Sequence, residues 1–316
     1  MSYSIFVCAH LDQRAHDLVL TSLPNDRVHF GSRDRIEPSD REALENAEVI
    51  FGNLPAIRIP ACRRLRWMQL ESIGFEYYQE LAGGTNGLVI SNLKGMFVRP
   101  ATETALAGIL ALIRGLDRLV PAQTESRWIE LELRPQTRRL HGMRVLVLGL
   151  GSIGRRMKRL LEAFDSRVTT FARRNREADV TTVAQLAEVL PEADIIVCCL
   201  PQTRETMGLV DRRLLELMSP RAVFVNIGRS AVVDEGALIE RLQQRRLAGA
   251  VIDVTLAEPL PPDHPLWHCP NTILTQHTGG GYDDELVDKA RFFLKNLELF
   301  RRGEQVLNVI DVGRGY

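Results

Sequence analysis

The chain has five cysteines in 316 residues, Cys8, Cys62, Cys198, Cys199 and Cys269, and no C-x-x-C spacing among them. An odd, scattered set argues against a disulfide framework or a zinc site and fits a reducing compartment; no metal is expected. No apolar run approaches the roughly 18 residues of a membrane span, and the first ten residues carry neither the basic nor the long apolar segment of a secretory leader. The expected location is cytoplasmic, with no membrane partner. Charge of one sign is also lacking, since 40 Lys+Arg balance 40 Asp+Glu, so nothing global draws the chain to nucleic acid. Repeats and low-complexity tracts are absent. What is present, 45% hydrophobic and 25% charged residues, suits two domains of roughly 100–200 residues each and a small-molecule partner.

Short apolar runs at Ser4–Ala9, Ala47–Gly52, Leu65–Leu70 and Gly87–Ser91 predict strands, with polar helical stretches between the first two. Pro100 opens a predicted helix whose shared face carries Ala105, Leu106, Ile109, Leu110, Ile113 and Leu116. Further strands are predicted at Val145–Leu148, Arg167–Ala172, Ile195–Leu200, Ala222–Asn226, Gly249–Val254 and Thr272–Thr275, alternating with helical segments. Such alternation predicts doubly wound α/β architecture. A final helix uses Leu286, Ala290, Phe293, Leu294 and Leu297, and Val306–Asp311 is expected to return to the first unit as a strand.

Two stretches carry chemistry. Gly149-Leu150-Gly151-Ser152-Ile153-Gly154 follows the 145–148 strand and opens a helix with Ile153, Met157, Leu160, Leu161 and Phe164 on one face. In that context Gly149 serves a tight turn, Gly151 admits a pyrophosphate to the backbone, and Gly154 lets the helix approach the strand. The phosphates would sit on the helix N-terminus, against Ser152 and Ile153. The second stretch, Asn226-Ile227-Gly228-Arg229-Ser230, follows another strand. Ligands of open α/β sheets lie beyond the carboxyl ends of the strands, so Arg229 is placed to clamp a carboxylate and polarise an adjacent carbonyl. Glu258 and His277 also follow strand ends.

The order of "GLGSIG", "NIGRS", "DVTLAEPLPPDHPLW" and "TQHTGG" resembles the D-isomer-specific 2-hydroxyacid dehydrogenases, of the glyoxylate/hydroxypyruvate reductase kind, over nearly the whole chain. The resemblance implies two doubly wound (Rossmann/flavodoxin-like) parallel-sheet domains with an active-site cleft between them. Residues 1–98 with 284–316 would bind substrate, and 99–283 the dinucleotide. It implies a catalytic Arg229, Glu258 and His277. Ser72, Ile73 and Gly74 would join Arg229 in holding the substrate carboxylate. The cofactor would be lined by Leu200, Pro201, Thr206, Ile227, Gly228 and Gly279, with Asp253 in an amide contact or a turn role. Ser230 stands where the family usually has glycine, and Gln276 where it usually has proline. Trp128 falls in the region that forms the dimer contact in similar proteins, which suggests a homodimer interface or packing onto its own domain.

Those residue types suit the reaction. Reducing a 2-oxo acid needs a hydride at C2 and a proton on the developing alkoxide, which His277 can supply near neutral pH with Glu258 holding its other ring nitrogen. Leu54, Met96, Phe97 and Trp267 are candidates to line the pocket beside C3 of the substrate. NAD enzymes commonly place an acid about 20 residues beyond the glycines. Here that stretch reads Phe171-Ala172-Arg173-Arg174-Asn175-Arg176, without an acid, so Arg173 and Arg174 are expected to pair with a 2′-phosphate. NADP(H) is the preferred cofactor on this reading, NAD(H) the alternative. Expected substrates are glyoxylate and hydroxypyruvate; a phosphoglycerate dehydrogenase-like enzyme and a non-catalytic dinucleotide sensor are the other readings. Cys198 and Cys199, within an apolar run, are expected to be buried rather than redox-active.

Overall fold

The computed structural model describes residues 2–35, 37–81 and 87–311. Two compact units divide the chain, residues 1–96 with 282–316 and residues 97–281. In the first unit the strands are β1 (Ser4–Val7), β2 (Arg27–Phe30), β3 (Val49–Phe51), β4 (Trp67–Gln69) and β5 (Val89–Ser91), and the helices are α1 (Gln13–Ser22) and α2 (Pro38–Asn46). All pair in parallel in the order β2-β1-β3-β4-β5. Period-two alternation sends Ile5, Val7, Val49, Phe51 and Trp67 to one face, and Phe6, Ile50 and Met68 to the other; both faces are buried.

The second unit holds α3 (Val98–Arg114), α4 (Leu116–Thr124), α5 (Glu130–Leu133), β6 (Arg144–Leu148), α6 (Ser152–Glu162), β7 (Arg167–Phe171), α7 (Val183–Val189), β8 (Ile195–Cys198), α8 (Arg212–Leu217), β9 (Val223–Asn226), α9 (Glu235–Gln243), β10 (Gly249–Ile252) and β11 (Thr272–Leu274). Its sheet runs β11-β10-β9-β8-β6-β7, again wholly parallel. The strand order reverses between β6 and β8, a topological switch point. Helix α10 (Glu285–Arg301) returns to the first unit, where Phe293 stacks on Phe51 at 4.5 Å between ring centroids. A buried polar trio reinforces that packing: Asn296 Nδ2 and Ser91 Oγ each donate to Gln69 Oε1 at 2.8 Å.

Four sequence expectations need correction. The stretch between the first two predicted strands contains β2, which alternation did not reveal. It is a four-residue edge strand with half-exposed Val28, His29 and Phe30, so only one side is paired and its apolar signal is weak. The helix from Pro100 starts two residues earlier and ends at Arg114, because Gly115 takes a left-handed C-cap at φ +72°. Leu116 therefore belongs to α4 and is exposed rather than part of the α3 face. Phe164 likewise lies beyond α6 and is exposed. Val306–Asp311 is not a strand. Asn308 turns the chain at φ +57° with its amide on the carbonyls of Asn92 and Lys94, leaving a single antiparallel bridge between Val309 and Ser91.

Close approach of α6 to β6 depends on a missing side chain. A Cβ on Gly154 would lie 1.8 Å from the Gly149 carbonyl oxygen, which belongs to backbone and cannot give way as a flexible side chain would. Gly154→Ala is expected to lower stability by about 3 kcal/mol, at the upper end for overpacking. Gly236→Ala, in α9 with its nearest neighbour at an ordinary 3.6 Å, should raise it by roughly 0.5–1 kcal/mol. Urea denaturation midpoints of the two variants check both signs.

Candidate active site

Parallel strands end on one edge of their sheet, and the loops leaving that edge in residues 97–281 carry nearly every candidate side chain. After β6, Gly149 turns at φ +104° and its N–H donates to Phe171 O at 2.8 Å. Gly151 is the N-cap of α6, with no side-chain cap on the helix and open space where its Cβ would be. Uncapped first-turn N–H groups, including those of Ser152 and Ile153, face the positive end of the helix dipole, an arrangement suited to a pyrophosphate. Asn175 Nδ2 donates to Leu150 O at 3.2 Å and ties the loop after β7 to this turn.

After β7, Arg173 Nη2 donates to the Glu205 carbonyl oxygen at 2.6 Å and to its carboxylate at 3.3 Å, and Arg174 forms an ion pair with the same carboxylate. After β8, Leu200 is buried and Pro201 exposed. Thr206 is buried, and its hydroxyl donates to Pro201 O at 2.6 Å while accepting from Thr203 N at 2.8 Å. It thus closes the loop that carries Glu205. Cys198 is fully buried, and burial pushes its thiol up to about 11. Cys199 is raised well above the usual thiol range by the same cause, so neither offers a thiolate at neutral pH.

The turn after β9 is held by Asn226, whose Oδ1 accepts from Gly228 N at 3.1 Å and whose Nδ2 donates to Arg229 O at 3.3 Å. Ile227 N donates to Cys198 O at 3.1 Å, and a Cβ on Gly228 would lie 2.6 Å from Leu200 O. Arg229 is half-buried, with Nη1 on the Gly228 carbonyl at 2.9 Å.

Glu258 and His277, 19 residues apart, meet directly: Glu258 Oε2 lies 2.7 Å from His277 Nδ1. The other carboxylate oxygen accepts from Thr255 N at 2.9 Å. His277 is held from β10, because its N–H donates to Asp253 O at 2.6 Å. Asp253 Oδ1 also accepts from Thr275 Oγ1 at 2.6 Å and from Gly279 N at 3.0 Å. Asp253 is therefore a brace for the histidine loop, a turn role that sequence left open beside a cofactor contact. Gln276 and His277 both take left-handed backbone, at φ +52° and +57°. Proline is locked near −65° and could not occupy the first of these, so Gln276 marks a different turn from the one proline would make.

Two residues that sequence did not single out support this geometry. Glu235, first in α9, accepts from Leu256 N at 3.0 Å and lies 3.4 Å from His264 Nε2, holding the loop that carries Glu258 at two points. Its signal was an acid in a helix first turn, which reads as dipole compensation. Glu205 was hidden because it is 31 or more residues from the arginines it engages. Trp267 Nε1 donates to Pro261 O at 2.8 Å, so it packs the segment after Glu258.

In the other unit, the Ser72–Gly74 loop follows β4. Its three carbonyls are all engaged: Ser72 O accepts from Leu93 N at 3.0 Å, Ile73 O from Asn92 Nδ2 at 2.8 Å and Gly74 O from Ser72 Oγ at 2.7 Å. Among the described residues, the N–H groups of Ser72, Ile73 and Gly74 have no hydrogen-bond partner. Glu71 anchors the loop, buried, with one oxygen on Arg33 and the other on His10 N. Leu54 is fully buried in its core cluster and so does not line a site.

Comparison with known proteins identifies the family. The model of the D-isomer specific 2-hydroxyacid dehydrogenase NAD binding domain matches residues 106–279. The chain belongs to the D-isomer specific 2-hydroxyacid dehydrogenase family. Among members of that family it is similar to a glyoxylate reductase of Aeropyrum pernix, 32% identical over 78% of this chain and 77% of that one. It is also similar to glyoxylate/hydroxypyruvate reductase B of Pectobacterium carotovorum, 30% identical over 88% and 90%. A family dehydrogenase of Xanthobacter autotrophicus Py2, solved in complex with NADPH and MES, superposes with a TM-score of 0.81 at 25% identity, covering all of both chains. Among the described residues no helix is long and apolar enough to cross a membrane, and no cluster of three or more His, Cys, Asp or Glu is placed to hold a metal ion.

A dehydrogenase whose Glu258–His277 contact depends on this turn should be sensitive to its backbone. Gln276→Pro is expected to reduce turnover about 10²-fold, the scale of a 1 Å misplacement of a reacting group, and to lower the melting temperature by a few degrees because the left-handed turn is closed to proline. Steady-state kinetics beside a thermal melt checks this; undiminished turnover would show that the loop accepts another geometry.

Proposed function

We propose that the chain reduces a small 2-oxo acid to the D-2-hydroxy acid with NAD(P)H, glyoxylate and hydroxypyruvate being the substrates of its named relatives and the first choice here. The observation that carries this reading is the Glu258–His277 hydrogen bond, with Arg229 leaving the neighbouring strand on the same edge of one sheet. With Nδ1 on Glu258, His277 has Nε2 left to give a proton to the developing alkoxide and to take it back in the reverse direction. Arg229 binds the carboxylate bidentately and stabilises charge on the carbonyl oxygen. In their own unit, Ser72, Ile73 and Gly74 are proposed as carboxylate donors through N–H groups that have no hydrogen-bond partner among the described residues.

Gly149, Gly151, Ser152, Ile153 and Gly154 fit a dinucleotide pyrophosphate, since the helix end is uncapped and a Cβ-sized space is open at Gly151. Leu200, Pro201, Ile227, Gly228 and Gly279 lie on loops leaving the same edge of the sheet, with Thr206 and Asp253 bracing the loops. When bound, the nicotinamide supplies the hydride that reaches C2. NADP(H) is the preferred cofactor, supported by Arg173 and Arg174 and by the NADPH bound to the Xanthobacter relative, with NAD(H) as the alternative. Residues 97–281 would thus bind dinucleotide and the other unit substrate. The intact acid/base pair favours an enzyme over a dinucleotide sensor, and nothing in the site favours a phosphoglycerate dehydrogenase.

A homodimer is part of the proposal. Trp128 is 87% exposed and Leu131 89%, with Val120 of α4 also exposed, so these side chains have not packed onto their own unit. A cytoplasmic setting is supported by five free cysteines.

His277→Ala should cut turnover by about 10²–10⁴-fold while NADPH still binds; turnover that survives would remove His277 from the proton-transfer role. A panel of 2-oxo acids with NADPH and NADH tests the substrate and cofactor assignments, and a clear preference for NADH would sink the NADP(H) assignment. Trp128→Ser with Leu131→Ser should shift sedimentation from dimer to monomer; a native monomer would exclude the interface.

A further inference from the structure

Cofactor choice in this chain is not left to the two arginines at the end of β7. We infer that Glu205, on the loop after β8, sets the ratio of NADPH to NADH binding by competing with a 2′-phosphate for Arg173 and Arg174. The inference rests on the dinucleotide reading above. One carboxylate engages both guanidinium groups: Arg173 donates to Oε2 at 3.3 Å, and Arg174 is ion-paired with Oε1. Arg173 is further fixed by its 2.6 Å bond to the Glu205 carbonyl oxygen, so the residue meets it through main chain and side chain together. Thr206, buried and bonded to Pro201 O and Thr203 N, closes the turn that carries Glu205 to the arginines.

Phosphate recognition by arginine uses the same fork of N–H donors that a carboxylate uses. With Glu205 in place, two positive charges are offset by one negative charge, so a 2′-phosphate meets weakened attraction and must displace an existing acceptor. A ribose 2′-hydroxyl is neutral and meets neither obstacle. It can also donate to a carboxylate, the role an acid after the second strand performs in NAD-binding folds. The stretch after β7 contains no acid, and the loop after β8 supplies one from elsewhere in the sequence. Glu205 thereby moderates the preference for NADP(H) that Arg173 and Arg174 create.

The deciding measurement is equilibrium binding of NADPH and of NADH to the purified protein by titration calorimetry, with no 2-oxo acid present. Glu205→Gln removes the charge at a half-exposed surface position and keeps the side-chain size. It should bind NADPH about fivefold more tightly and NADH more weakly, the scale of releasing exposed ion pairs of this kind. Glu192→Gln makes the same charge change beside Arg144, at the amino end of β6, and should leave the ratio as in the native protein. An unchanged NADPH to NADH ratio in Glu205→Gln, with both nucleotides bound, overturns the role of Glu205 and leaves the dinucleotide reading standing. A native protein that binds neither nucleotide overturns that reading and this inference with it.

Discussion

Parallel hydrogen bonding of β9, β10 and β11 carries the carboxyl ends of three neighbouring strands to one edge, and the chemistry of residues 97–281 depends on that alignment. Register pairs Ala250 with Phe224 on one side and Thr272 on the other, so Arg229, Glu258 and His277 each leave the sheet within a few residues of the same rim. The sheet itself is secured by buried aliphatic side chains on both faces, which gives its loops a fixed frame to leave from. A one-residue slip in β10 would exchange its two faces and displace Asp253, the residue that braces the histidine turn.

That brace accounts for how a mobile side chain is held at a fixed height. Two successive non-glycine residues in left-handed backbone cost on the order of 1 kcal/mol each. The cost is offset by Asp253, which accepts the His277 N–H through its carbonyl and the Thr275 and Gly279 donors through its carboxylate. Glu235 does the corresponding work for the loop of Glu258 through Leu256 and His264. His277 and Glu258 are thus positioned from two different places, Asp253 just after β10 and Glu235 in α9, and their 2.7 Å contact is where both constraints meet.

Charge is managed in a similar way at the other end of the rim. Arg173 and Arg174 share the carboxylate of Glu205, so the basic turn after β7 is partly neutralised within its own unit. In the unit built on β1–β5, the Ser72–Gly74 loop uses its carbonyls on the protein and keeps its N–H groups unpartnered among the described residues, a concentration of partial positive charge without a charged side chain. Both sites suit an anion, one by side chains and one by backbone.

The amino-acid sequence by itself determined the class of fold. Buried parallel strands such as Ile195–Cys198 and Val223–Asn226 are continuous apolar runs, and the glycine turn at 149–154 is readable because each glycine answers a local demand of backbone geometry. It also pointed to Arg229, Glu258 and His277, whose types and positions after strands are local properties. It could not show β2, whose polar edge residues carry little periodicity, nor that Val306–Asp311 would turn at Asn308 instead of extending. Only the tertiary structure decided that Asp253 and Thr206 spend their polar atoms on bracing loops, that Gln276 takes a backbone closed to proline, and that Glu205 and Glu235 reach their partners. Those outcomes depend on contacts between residues far apart in the chain, and local pattern carries no record of which distant donor a carboxylate will meet.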